Sequence, residues 1–186
     1  MDNQQPFDPW TKAHTLHDLP AEEVISALQK EIRRGITENA VLLAYEMLTT
    51  SAELEAKLWQ RLLVIAVEDI GWGDLNAPVI VNTLYEMHSN PGLIEGDRFL
   101  FAVHATRYLC ACRKDRSSSE LLSWIKIKVQ EGVLPEVPDY AVDMHTSRGR
   151  AMGRGKKHFL EEGAVVHPEL EGRETKYREY LLSLLQ

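Results

Sequence analysis

The chain has 186 residues and 21.2 kDa, with 44% hydrophobic and 26% charged residues and a formal net charge of −7 from 21 basic and 28 acidic side chains. That balance excludes a disordered, collagen-like or disulfide-dense class, and a chain of this length buries roughly 70% of its unfolded surface without cross-links. The two cysteines, Cys110 and Cys112, lie two apart with no second pair, which excludes a zinc ribbon and reads as two reduced, largely buried thiols.

Residues 1–18 show no apolar periodicity and are expected to form an N-terminal arm; with neither a basic start nor an apolar core, the segment does not read as a signal peptide. Residues 19–186 are expected to form one helical domain. Asp18, Pro20 and the Glu22-Glu23 pair make a helix start, Val24, Ile25, Leu28 and Ile32 share one face, and Gly35 is a stop. A second helix over 37–49 places Ala40, Val41, Ala44, Tyr45 and Leu48 on one side, and its two-residue connection predicts an antiparallel helical hairpin. Ser51 is suited to cap a third helix reaching about residue 70. Leu54, Leu58, Leu62 and Ile65 form one stripe there, and Trp59, Leu63 and Val67 a second, which predicts a central helix buried on two sides. Gly71-Trp72-Gly73-Asp74 ends it. Further helices are expected at 76–88, 95–113, 118–130, 139–148 and 173–185, with 163–167 the one short strand candidate. The fold class is therefore all-α: a single compact multi-helix domain of seven to nine helices. The longest apolar stretch, 62–67, is too short to span a bilayer, so no membrane contact and a cytoplasmic location are expected.

One segment concentrates charge. Residues 146–160 carry Arg148, Arg150, Arg154, Lys156 and Lys157 and no acid, a formal +5 within a chain of net −7, so the remainder carries −12. Three glycines in the same run let backbone amides approach a ligand, and arginine and lysine suit phosphate. A nucleic-acid backbone, a nucleotide or an acidic surface of another subunit each fits, as does a solvated loop or an internal ion-pair partner. The run is not a P-loop: the first glycine of that pattern falls on Arg150 and its Ser/Thr position on Lys157. Glu68 and Asp69 beside Gly71 lack the spacing of a calcium loop and are expected to be held by arginines of packed helices. His104 lies on an otherwise apolar helix and reads as a satisfied buried histidine, while His145 and His158 flank the basic run. No metal or cofactor motif is present, and no serine is motif-linked to a histidine.

Several segments in order, 25–33, 39–48 and above all Arg61-Leu62-Leu63-Val64-Ile65-Ala66-Val67-Glu68-Asp69-Ile70-Gly71, are similar to the C-terminal region of the RarA/MgsA family, the bacterial relatives of the Werner helicase-interacting ATPase. Residues 102–109, Val137-Pro138, the Gly-Arg-Gly-Lys run and 172–180 follow in the family's order, so the resemblance covers about 22–182. It implies an all-α fold, a homotetramer, and a link to replication-fork maintenance, DNA repair and DNA ends. The family's Walker motifs and arginine finger do not occur in this sequence, so ATP hydrolysis is not implied; a separate ATPase is a conceivable partner. The leading expectation is a non-catalytic oligomerisation and polyanion-binding module. The alternative is an enzyme acting on a phosphorylated or nucleotide-like small molecule, with His145 or His158 as acid or base and Glu68 or Asp69 orienting it.

Overall fold

A computed structural model describes residues 9–185. Among them there are nine α-helices joined by 3-10 and π turns and no strand, so the all-α class expected from the periodicities is what forms. Contacts divide the chain into two compact units, Met1–Lys128 and Val129–Gln186.

The first unit opens with α1 (Ala21–Arg34), which carries Glu22 and Glu23 in its first turn and Arg33 and Arg34 in its last, each at the end of the helix dipole that favours it. Gly35 closes it in the left-handed region at φ 73°, as a C-terminal cap requires. Its N-cap position is held by Pro20 rather than Asp18. Asp18 sits in a left-handed turn at φ 61° and makes no cap. Next come α2 (Thr37–Thr50) and α3 (Ala52–Ile65), the latter capped by Ser51, whose Oγ accepts the Leu54 N–H at 3.2 Å. The unit continues with α4 (Ala77–His88), α5 (Glu95–Ala111) and α6 (Ser117–Gln130), whose last two residues belong to the second unit. Helix α2 packs against α1, α3 and α5, and α5 against α4. Leu28, Ile32, Met47, Leu58, Trp59, Leu62, Ile65 and Leu109 fill the space between them.

Only one of the two α3 stripes is wholly buried. Trp59 is buried and Leu63 half-buried, but Val67 is exposed. The helix widens into a π turn, Ala66–Ile70, whose extra residue rotates Asp69 and Ile70 inward and Val67 outward.

The first eight residues of the expected arm lie outside the described residues. From Pro9 onward the segment is tied down. A 3-10 turn (Pro9–Lys12) is followed by the Leu16 N–H donating to Thr50 Oγ1 at 2.9 Å and the His17 N–H to Glu46 Oε1 at 3.0 Å. Burial pushes the Glu46 carboxyl up, but hydrogen bonds from Thr15 and from the His17 backbone and ring outweigh it and hold the group below its ordinary value. Such polar ties leave no hydrophobic period to read.

The second unit has a 3-10 turn (Asp139–Ala141), α7 (Ser147–Ala151), α8 (Lys156–His158) and α9 (Lys176–Ser183). The helix expected over 139–148 is replaced by two turns. Asp143 Oδ1 accepts the His145 N–H at 2.9 Å, a local side-chain bond that competes with helix. Thr146 Oγ1 then accepts the Gly149 N–H at 3.0 Å and starts α7 afresh. The strand candidate at 163–167 is the end of a π turn, Phe159–Gly163, followed by irregular chain.

Candidate functional site

The basic segment is built on a fixed floor. Val142, Asp143 and Gly149 are buried, and a Cβ at Gly149 would stand 1.9 Å from the Asp143 carbonyl oxygen, so α7 crosses the preceding turn at a distance only glycine permits. Arg154 completes this floor. Its guanidinium donates to both Asp139 carboxylate oxygens, at 2.6 and 2.8 Å, and to the carbonyls of Asp139 and Val142 at 2.7 and 2.8 Å. That bond holds the Asp139 carboxyl below its ordinary value. Arg154, expected among the phosphate ligands, is thus spent inside its own unit, because a planar fork of donors matches a carboxylate and two carbonyls at once.

The other four cations are differently placed. Arg150 donates to the Met144 carbonyl and to Ser147 Oγ, both at 3.2 Å; these acceptors are neutral and leave its charge uncompensated. Arg148, Lys156 and Lys157 are exposed and pair with no carboxylate among the described residues. Of the flanking histidines, His145 places Nδ1 3.0 Å from Asp143 Oδ2 and its ring edge-on to Phe159 at 4.9 Å. Hydrogen bonds from His145 hold the Asp143 carboxyl below its ordinary value. His158 is half-buried, with Nδ1 enclosed and unbonded.

Glu68 and Asp69 belong to the first unit and are saturated by arginines. Asp69 is fully buried, 2.6 Å from Arg33 Nε, 3.2 Å from Arg116 Nε and 2.8 Å from Gln29 Nε2. Glu68 lies 3.4 to 3.7 Å from Arg33, Arg61 and Arg116. The expected arginine clamp is therefore present. Gly71, at φ 49°, and Gly73 pass so close to the 113–115 backbone that a Cβ on either would stand within 2.5 Å of a carbonyl oxygen. No group of three or more His, Cys, Asp or Glu suited to a metal occurs among the described residues.

His104 is exposed rather than buried. The core face of α5 is Ala102, Ala105, Thr106 and Leu109, which turns His104 outward. The buried histidine is His88, whose Nε2 lies 3.0 Å from Glu55 Oε1 and whose ring packs 4.8 Å from that of Trp59. The spacing Ala77, Val81, Leu84, His88 carries that signal in the sequence. Both thiols are free, and burial pushes both pKa values up.

Sequence reasoning passed over one surface. Helix α6 (Ser117–Gln130) buries no residue, and its Leu121, Leu122, Trp124, Ile125 and Ile127 are each between 43% and 55% exposed. Leu122 also lines a groove of about 400 Å³ with Val64 and Val67. An apolar arc wide enough for two neighbours was legible, but not that the described residues would leave it half exposed. No helix among the described residues is long and apolar enough to cross a membrane.

A family model described as MgsA AAA+ ATPase C terminal matches residues 37–179. The replication-associated recombination protein A of Haemophilus influenzae (strain ATCC 51907 / DSM 11121 / KW20 / Rd) is 29% identical over 123 residues, 66% of this chain and 26% of that protein. The chain spans about a quarter of the length of this curated relative.

Proposed function

The chain belongs to the MgsA AAA+ ATPase C-terminal family, and from that premise we propose that it is a non-catalytic assembly module that forms a homotetramer and presents a polyanion-binding surface on each copy. The observation that carries the assembly reading is α6. Five large apolar side chains on one helix, none buried, are the composition of a helix waiting for another helix. The partner is a second copy of the chain, and covering the half-exposed side chains contributes about 1 kcal/mol each. Light scattering on the wild type is expected to give the mass of four copies. The double substitution Trp124→Lys and Ile125→Lys is expected to weaken subunit association on the order of 100-fold, with far-ultraviolet circular dichroism unchanged. A monomeric wild type, or a variant that assembles as before, overturns the reading.

The polyanion surface is supported by the four cations that lack carboxylate partners, in a segment where the fifth is internally neutralised. Repetition by symmetry gives a long polyanion several contacts at once. Four phosphate contacts on a single strand predict a slope of log affinity against log salt of roughly −3. Replacing Arg148, Arg150, Lys156 and Lys157 by alanine is expected to bring that slope near zero, measured by anisotropy of a labelled oligonucleotide. The rival enzyme reading finds little support, since Glu68 and Asp69 are committed to arginines and orient no histidine. A replication-associated ATPase acting in trans is the partner we infer for such a module in the cytoplasm.

A further inference from the structure

Beside the basic segment, and within the same unit, lies a cleft of about 370 Å³ lined by Tyr140, Glu162, Val165 and His167. Its size is within the roughly 300–1,000 Å³ typical of small-molecule sites. The lining is unusual for a surface dent: two flat rings, one aliphatic side chain and one carboxylate. Tyr140 and Val165 are exposed although each carries an apolar face that burial would reward. The side chains of Glu162 and His167 engage no hydrogen-bond or ion-pair partner among the described residues.

The cleft is joined to the cations by the chain itself. Tyr140 follows Asp139, whose carboxylate is clamped by Arg154 and also feels the charge of Arg148. Glu162 lies in the π turn that continues the helical stretch begun by Lys156 and Lys157, one residue before it ends at Gly163. Positive charge and a cleft bearing two rings and a carboxylate therefore lie a few residues apart on one continuous segment.

We propose that this cleft takes an unpaired nucleobase, guanine by preference, while the neighbouring cations hold its phosphates. The inference rests on the polyanion reading and extends it from charge to base recognition. Tyr140 and His167 supply ring faces for stacking, which every base tolerates. Glu162 supplies the selectivity. An ionised carboxylate is acceptor-only with two oxygens. Guanine is the base whose pairing edge presents two adjacent donors, N1–H and the 2-amino group, so it alone satisfies both oxygens. Adenine and cytosine set an acceptor beside their amino group, against the carboxylate, and thymine has a single N–H. A duplex hides these edges, so the ligand is single-stranded nucleic acid or a free guanine nucleotide.

The test uses the full chain and labelled twelve-residue abasic strands carrying one central dG, one central dA or no base, with inorganic polyphosphate as a second base-free polyanion. The dG strand is expected to bind on the order of tenfold more tightly than the abasic strand. Tyr140→Ala is expected to remove that advantage. Glu162→Gln, which offers one acceptor and one donor, is expected to cancel or reverse the preference for dG over dA. Neither variant is expected to change polyphosphate affinity. Competition by guanosine monophosphate as effective as that of the strand assigns the site to free nucleotide, and competition 100-fold weaker assigns it to a strand; either supports the cleft. Equal binding of all three strands, with polyphosphate still bound, overturns the base site and leaves the polyanion reading standing. A wild type that binds neither strands nor polyphosphate overturns both.

Discussion

Asp69→Ala is expected to lower the thermal midpoint of the Met1–Lys128 unit by about 10 °C. The carboxylate is fully enclosed and holds Arg33 and Gln29 from α1 and Arg116, the residue before α6, against the π turn that follows α3. Removing one member of such a cluster leaves guanidinium charge without its counter-ion, a loss of about 3–5 kcal/mol for a fully buried pair. Arg33 and Arg116 keep 27% and 37% of their side chains in solvent, which places the loss at the low end, about 3 kcal/mol. Calorimetry gives the shift. Asp69→Asn, which retains one acceptor oxygen, is expected to lose less. A shift under about 3 °C for Asp69→Ala means that the arginines are held by other contacts.

Gly149→Ala is expected to unfold the basic segment while leaving the first unit intact. The added methyl would fall 1.9 Å from the Asp143 carbonyl oxygen and 2.5 Å from its carbon, both backbone atoms fixed by the turn that Asp143 and His145 make. Overpacking of this severity costs about 1–3 kcal/mol and more where the obstacle is backbone. Thr146 would lose its capping bond to the Gly149 amide, and the clamp of Arg154 on Asp139 would loosen with it. Limited proteolysis is expected to cut within 139–163 at least tenfold faster, with cleavage of the first unit unchanged. Gly155→Ala is the control: its φ is −104° and nothing lies within 4 Å of the added methyl, so protection is expected to persist. Equal protection in both variants would show that α7 shifts to accommodate the methyl at little cost.

Much of this protein was legible in its residues alone. Apolar spacing placed α1 to α5 within a few residues of where they stand, because a helix that buries one face must repeat it every three to four positions, and Gly35 and Ser51 mark ends by local chemistry. The arginine clamp on Glu68 and Asp69 was legible too, since two acids ending an apolar helix need counter-charge. What the sequence did not disclose was which charges and which apolar faces remain free. Arg154 and Arg148 are alike in sequence context, yet one is bound into Asp139 and the other is open, because the turn at 139–143 happens to present a carboxylate and two carbonyls to only one of them. His104 points outward and His88 inward through the rotation of two helices against a shared core. Helix α6 has the apolar residues of a core helix, but the described residues leave each of them about half exposed. Local pattern depends on neighbours along the chain and so can be read from it, whereas compensation of a charge or burial of a face depends on atoms brought near by packing.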